Sequence, residues 1–408
     1  MGGRTVRFQC RSRRRGALSP EQLLRLDLLT AVAVGLVFID AAAAEAVFKQ
    51  AFFLACSVGE PRRLSRALSL AAAFEAARGG SDERAKAFLN QADVLTPTLD
   101  AGLSAYKDAA RGFRLLAGSD FVHADELLSR ADLGFSRMMP GAYPLGLVRL
   151  GRLFSLRRLG KLRELRAARA EVLRYAERTQ DRFLLATVKR GFRLVTLAYE
   201  GAEQALEELV PADFVYPAEV VRRTLGMPVE TAGCYQDWLL HFGHHEINLF
   251  EGSVKVEHLA LIEAAAAAPV GVIEFHRSEV EWLRGRAALA IQGLPAMVKT
   301  AEDAAQKLAR GAPHAQAWSA LLRAGLLVRK RDDGRASRAL AEAISISEKH
   351  GMELCAAVAK LRLSSIDARH AEERAFWDDY VDKNAIPQDS AARIADLVAP
   401  GFPVIRAR

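Results

Sequence analysis

Histidine is the residue type most suited to acid–base or metal chemistry near neutral pH, and the chain gathers three of its nine histidines in one place. Between Trp238 and Glu246 the sequence reads Trp-Leu-Leu-His-Phe-Gly-His-His-Glu. His241 and His245 stand four apart, so a helix carrying them puts both on one face, a spacing that can ligate zinc. The His-Glu-x-x-His order of zinc hydrolases is absent, and no third ligand follows at a ligand-like spacing. The pair therefore reads as polar residues on a half-exposed helix face, with Tyr235 and Trp238 as core or groove lining. Asp332-Asp333-Gly334 lacks the further oxygen ligands of a calcium loop and reads as a hairpin turn. The acidic pairs Glu279/Glu281 and Asp378/Asp379 have no base beside them, so both read as surface charge. Met138-Met139-Pro140 reads as flexible packing at a repeat boundary.

Nucleotide chemistry has none of its parts in the sequence. There is no glycine-rich phosphate loop, no His-Arg-Asp catalytic loop and no Asp-Phe-Gly. Gly160-Lys161-Leu162 lacks the upstream glycine and the hydroxyl residue of a P-loop. No catalytic, cofactor-binding or metal residue is assigned, no cofactor is expected, and the chain does not read as an enzyme.

Glycines and prolines beat a period of about 40 residues along the chain that carries those residues. One set falls at Gly79-Gly80, Gly118, Gly160, Gly201, Gly252, Gly293 and Gly334. A second set lies between them, at Gly59-Glu60-Pro61, Thr96-Pro97, Pro140-Gly141, Gln180-Asp181, Pro228, Pro269, Gly311-Ala312-Pro313 and Gly351. The apolar-periodic stretches between neighbouring breakers, about 15 to 25 residues long, suit helices and exceed ordinary strands. Two helices per period follow. Within periods, Ala85-Leu89-Ala92, Ala124-Leu128-Ala131 and Ala336-Leu340-Ala343 put small, large and small residues on one helix face, and Ala73, Gly112 and Ala324 stand twelve residues before them. Trp282, Gly285 and Leu289 give the corresponding first-helix face of another unit. Ala and Gly there let two helices of a hairpin approach closely.

This pattern resembles the tetratricopeptide repeat, including Pro97 twelve residues after Ala85. Leu165 and Glu257 replace the small residue, and the period exceeds that family's 34 residues. The expected fold is all-α: a superhelical array of about seven tetratricopeptide-like hairpins over residues 20–380, preceded by a basic arm at 1–19 and followed by a short helix and tail at 381–408. A hairpin cannot bury its apolar face alone, so stacking creates a continuous core and a concave surface.

The net charge of +8 resides largely in the arm, where Arg4, Arg7, Arg11, Arg13, Arg14 and Arg15 occur without an acid, leaving a nearly neutral body. No groove-reading module follows the arm, so nucleic acid is not an expected partner. Cys10, Cys56, Cys234 and Cys355 are scattered, as in a reducing cytoplasm. The apolar run Leu28–Ile39 is too short to span a bilayer, and Glu21 and Asp27 separate it from the basic start, so neither a membrane anchor nor a signal peptide is expected.

The ends of the body carry a narrower likeness. Pro20-Glu-Gln-Leu-Leu-Arg-Leu-Asp27 with Ala31-Val-Ala-Val-Gly35-Leu, and Ala392-Arg-Ile-Ala-Asp-Leu-Val-Ala-Pro-Gly-Phe402, resemble the carboxyl-terminal helical region of large bacterial serine/threonine protein kinases. In that family a kinase domain and an AAA-type ATPase segment precede tetratricopeptide-like repeats. The resemblance implies a non-catalytic scaffold or sensor region that binds a protein or peptide in its concave groove, with a kinase or ATPase as signalling partner. An elongated monomer or small oligomer is expected. The alternative is the ligand-sensing helical-repeat region of a transcriptional activator or another signalling ATPase.

Overall fold

The structure is a computed structural model that describes residues 19–37, 40–96, 101–138, 143–209, 235–259, 262, 274–291 and 293–403. Most of the basic arm, Cys10, Cys234, Pro97, Pro140-Gly141, Pro228 and Pro269 lie outside these residues. Among the described residues there are helices and no strands. The amino-terminal hairpins are α1 (Pro20–Leu36) with α2 (Ala41–Val58), α3 (Pro61–Ala77) with α4 (Asp82–Leu95), α5 (Ala101–Ala117) with α6 (Phe121–Met138), and α7 (Tyr143–Leu159) with α8 (Leu162–Thr179). Next come α9 (Arg182–Gly191), α10 (Arg193–Tyr199), α11 (Ala202–Glu207) and α12 (Tyr235–Glu251). The carboxyl-terminal part contains α13 (Glu274–Ala290), α14 (Pro295–Leu308), α15 (Pro313–Arg329), α16 (Asp333–Lys349), α17 (Glu353–Ile366), a 3-10 turn at Ala368–Glu373, α18 (Arg374–Asn384) and α19 (Gln388–Val398).

Local chemistry sets the helix boundaries. Asp40, Ser81, Asp181 and Asp332 each accept a hydrogen bond from a backbone N–H of the following first turn, the usual way to satisfy a donor that has no intrahelical partner. Of the expected hairpin turn Asp332-Asp333-Gly334, Asp332 stands in the turn and caps α16, whose first two residues are Asp333 and Gly334. Glu60 does the same for Arg62 and Arg63 while Pro61 occupies the first turn of α3, where its missing N–H costs nothing.

The small-large-small faces are the contact faces. Ala85, Leu89 and Ala92, Ala124, Leu128 and Ala131, and Ala336, Leu340 and Ala343 are all buried. A Cβ on Gly112 would come within 2.7 Å of Leu128, and one on Gly285 within 2.3 Å of Leu322, so these positions admit no larger side chain without repacking. The first helices of successive hairpins also stack on one another, α3 on α5, α5 on α7, and α13 on α15, and form the inner layer.

The array turns back on itself, a departure from a freely elongated coil. The α7–α8 turn at Gly160 lies against the start of α17: Gly160 has φ +71°, and a Cβ there would sit 2.4 Å from the Leu354 backbone nitrogen. Tyr380 donates its hydroxyl to the Gly160 carbonyl at 2.5 Å, Arg163 donates its backbone N–H to Asn384 Oδ1 at 3.1 Å, and Tyr199 donates to the Asn384 carbonyl at 2.6 Å. The turn at Ser119 meets His314 of α15, with Ser119 Oγ 2.7 Å from Nδ1, while Ser278 Oγ of α13 lies 3.2 Å from Nε2. One hydrophobic core accordingly runs from Ala105 to Phe402, and α18 and α19 pack back onto α8, α10 and α12.

Candidate functional site

The inner layer leaves a cavity of about 190 Å³ whose walls come from the first helices of the first four hairpins and from Phe135 of α6, with His276 of α13 completing the lining. Small residues make the space: Ala73 and Ala77 on α3 and Ala109 and Ala117 on α5 face it where larger side chains would fill it. Six rings then furnish the wall, those of Phe74, Tyr106, Phe113, Phe135, Phe154 and His276. Gly151 on α7 helps to place one of them, since a Cβ there would approach the Phe113 ring to 2.8 Å. Tyr106 packs edge-on to Phe135 with ring centroids 4.9 Å apart, and burial raises its phenol pKa, so it stays neutral across the physiological range.

His276 joins the cavity to a buried charge network. Its ring lies 5.0 Å from that of Tyr235, and its Nδ1 lies 3.6 Å from the Glu279 carboxylate one turn along α13. Glu279, 2% exposed, accepts from Arg157 at 3.2 Å and from Arg158 at 2.5 Å, both on α7. Arg157 also donates to Glu246 of α12 at 3.2 Å, and Arg286 stands 3.7 Å from the same carboxylate. Burial alone would raise the Glu279 pKa; the Arg158 and Arg157 charges outweigh it and hold the carboxyl well below the usual range. Burial pushes Arg158 and Arg286 down to about 10, which leaves both charged near neutrality. Three guanidiniums also stack on rings: Arg157 over Phe242 at 5.0 Å, Arg158 over Trp318 at 4.3 Å and Arg286 over Trp282 at 5.0 Å. Two walls of the array that are far apart in sequence are thus tied together directly behind the cavity.

The expectation that Glu279 is surface charge is therefore wrong. Its partners lie 121 and 122 residues away, beyond the reach of local pattern. Glu281 is half-buried, its side chain 17% exposed and bound to Lys307 at 2.7 Å, so it too departs from surface charge, whereas Asp378 and Asp379 are exposed as read. Tyr235 and Trp238 are core residues, each 1% exposed. Met138 is 46% exposed, and Met139 and Pro140, its companions in the expected repeat-boundary packing, lie outside the described residues. His241 is half-buried on α12, whereas His245 is 2% exposed and packs against His258 with centroids 5.7 Å apart. Burial, reinforced by the neighbouring histidines, lowers the His245 pKa to about 3. Among the described residues no group of three or more His, Cys, Asp or Glu side chains is placed to hold a metal ion.

The arrangement offers packing, shape and a buried electrostatic brace; it brings no nucleophile and base together around the cavity. No described helix is long and apolar enough to cross a membrane. No protein-family model and no curated protein matches the chain. Among solved structures the chain is similar to a Rap protein crystallised in complex with Competence and Sporulation Factor, with a TM-score of 0.51 over 87% of this chain and 99% of that one, at 14% sequence identity. The fold is that of an all-helical, tetratricopeptide-like repeat array.

Proposed function

We propose that this chain is a non-catalytic regulator that binds a protein or peptide partner on its concave face. The observation that carries the reading is the apolar cavity between the inner helices, kept open by alanines and backed by a buried ion-pair network. Apolar walls of this kind gain free energy when a partner covers them. The solved relative was crystallised with a bound factor, which agrees with such a role. Placement within a bacterial kinase-type signalling system, in the cytoplasm, rests on the terminal sequence likeness and on the scattered cysteines. Coding sequence upstream of Met1 that specifies kinase and ATPase motifs in frame would support that placement.

The binding reading is tested by identifying proteins retained by the purified chain, rebinding the purified candidate, and repeating the measurement with Ala73→Phe and Ala77→Phe. Both substitutions put a ring into the cavity from a half-buried helical position. Binding should fall at least about tenfold, the equivalent of ~1.4 kcal/mol. A partner held equally well by both folded variants would place recognition elsewhere and defeat the reading.

A further inference from the structure

The lining of the cavity specifies the chemistry of what enters it. We propose that it is a ligand site for one uncharged aromatic group, held ring against ring by Phe74, Phe113 and Phe154 with the His276 edge at the inner end. The proposal deepens the reading of the concave face as a binding surface and rests on it.

Size, wall and charge each point the same way. An apolar cavity of about 150 Å³ lined by Leu, Ile and Phe stays dry and admits benzene; at about 190 Å³ this space admits a single ring system with a small margin. The walls carry Phe74, Tyr106, Phe113, Phe135 and Phe154, and offset or edge-to-face ring pairs gain about 0.5–1.5 kcal/mol beyond the area they bury. Among the described residues no Asp, Glu, Lys or Arg side chain lines the cavity, so a ligand charge brought there would lose its hydration without a direct partner from them. The required chemistry has two possible sources, an aromatic side chain on a partner peptide or a free aromatic molecule.

The test uses the full-length purified chain and calorimetric titration with indole, toluene, methylcyclohexane, indole-3-acetate and N-acetyl-tryptophanamide. Indole and toluene should bind. Methylcyclohexane, of nearly the same shape, should bind about 2- to 10-fold more weakly than toluene, the ratio that corresponds to the ring-pair gain. Indole-3-acetate should bind at least about tenfold more weakly than indole. Phe113→Leu, which keeps an apolar wall, should narrow the toluene–methylcyclohexane ratio, and Ala73→Phe should abolish binding of both. N-acetyl-tryptophanamide binding at least as tightly as indole assigns the group to a peptide side chain, and markedly weaker binding assigns it to a free molecule. Indole failing to bind the folded chain, or methylcyclohexane matching toluene, overturns the proposal.

The two readings fail separately. If indole binds but no partner depends on the cavity, the partner-binding role falls and the ligand site stands. If a partner is lost in Ala73→Phe while indole neither binds nor competes with it, the aromatic site alone falls.

Discussion

Glu279 shows how much one side chain can hold together. It pairs with two buried guanidiniums: Arg157, which also reaches Glu246, and Arg158, which it meets at 2.5 Å. Breaking a buried pair from one side costs about 3–5 kcal/mol, because the surviving charge stays desolvated. Glu279→Gln should therefore lower the free energy of urea unfolding by several kcal/mol, whereas Glu281→Gln, whose Lys307 partner is 55% exposed, should change it by no more than about 1 kcal/mol. Equal effects would mean that the network contributes nothing special. His245 adds a pH dependence of definite sign. Its folded pKa of about 3 lies below the ~6.5 of an unfolded histidine, so between those values the unfolded chain takes up a proton that the folded chain refuses. The stabilisation is fully present above about pH 6.5 and is lost as pH falls toward 3. The urea midpoint should decline across that window and decline less steeply in His245→Phe; identical slopes would remove His245 from the account.

At the scale of elements, the backbone turns were legible and the long-range partners were not. A cap or a left-handed turn is written within four residues, so Asp332, Gly59-Glu60-Pro61 and the spaced glycines mark helix boundaries directly. The alanine faces were legible for the same reason, since helical periodicity is local. Ala73 and Ala77 look in sequence like ordinary close-packing residues, and only the meeting of α3, α5 and α7 turns their missing volume into a cavity, while Gly151 makes room for the Phe113 ring in its wall. The buried Glu279 was hidden by its neighbour Glu281, because two acids two positions apart look like surface on either helix or strand. Gly160 combines both kinds of information. Its turn was legible, while its contact with α17 was not. Gly252 has nearly the same backbone angle, φ +68°, but open space where a Cβ would go. Gly252→Ala should thus cost only the left-handed strain, about 1–2 kcal/mol. Gly160→Ala should cost more than that, because its methyl must also displace the Leu354 backbone. Thermal unfolding of both variants checks the difference, and equal costs would show that the α7–α8 turn yields freely.

For the whole molecule, the consequence is that the cavity takes one of its rings, His276, from the part of the array that closes onto the amino-terminal hairpins. Four hairpins supply its wall, but His276 comes from α13, and α13 is held there by the Glu279 network and by the Ser278–His314–Ser119 contacts. His314 also donates its backbone N–H to Ser119 Oγ at 3.3 Å, so its imidazole and main chain both hold that turn. Removing the imidazole in His314→Ala takes away its side-chain contacts with Ser119 and Ser278 and opens a void beside Trp318, together costing about 2–4 kcal/mol. Each helix keeps its own caps and its neighbours within the stack, so the loss should fall on the closure. Amide exchange should quicken around residues 119–124 and 350–356 while circular dichroism keeps its helical signal. The radius of gyration should rise above that of the unaltered chain, for which a fully compact globule of 408 residues would give about 22 Å. Toluene affinity should fall in parallel, because the ring at the inner end of the cavity moves away with α13. A His314→Ala chain that opens yet binds toluene unchanged would show that the amino-terminal hairpins form the site by themselves and that closure serves stability alone.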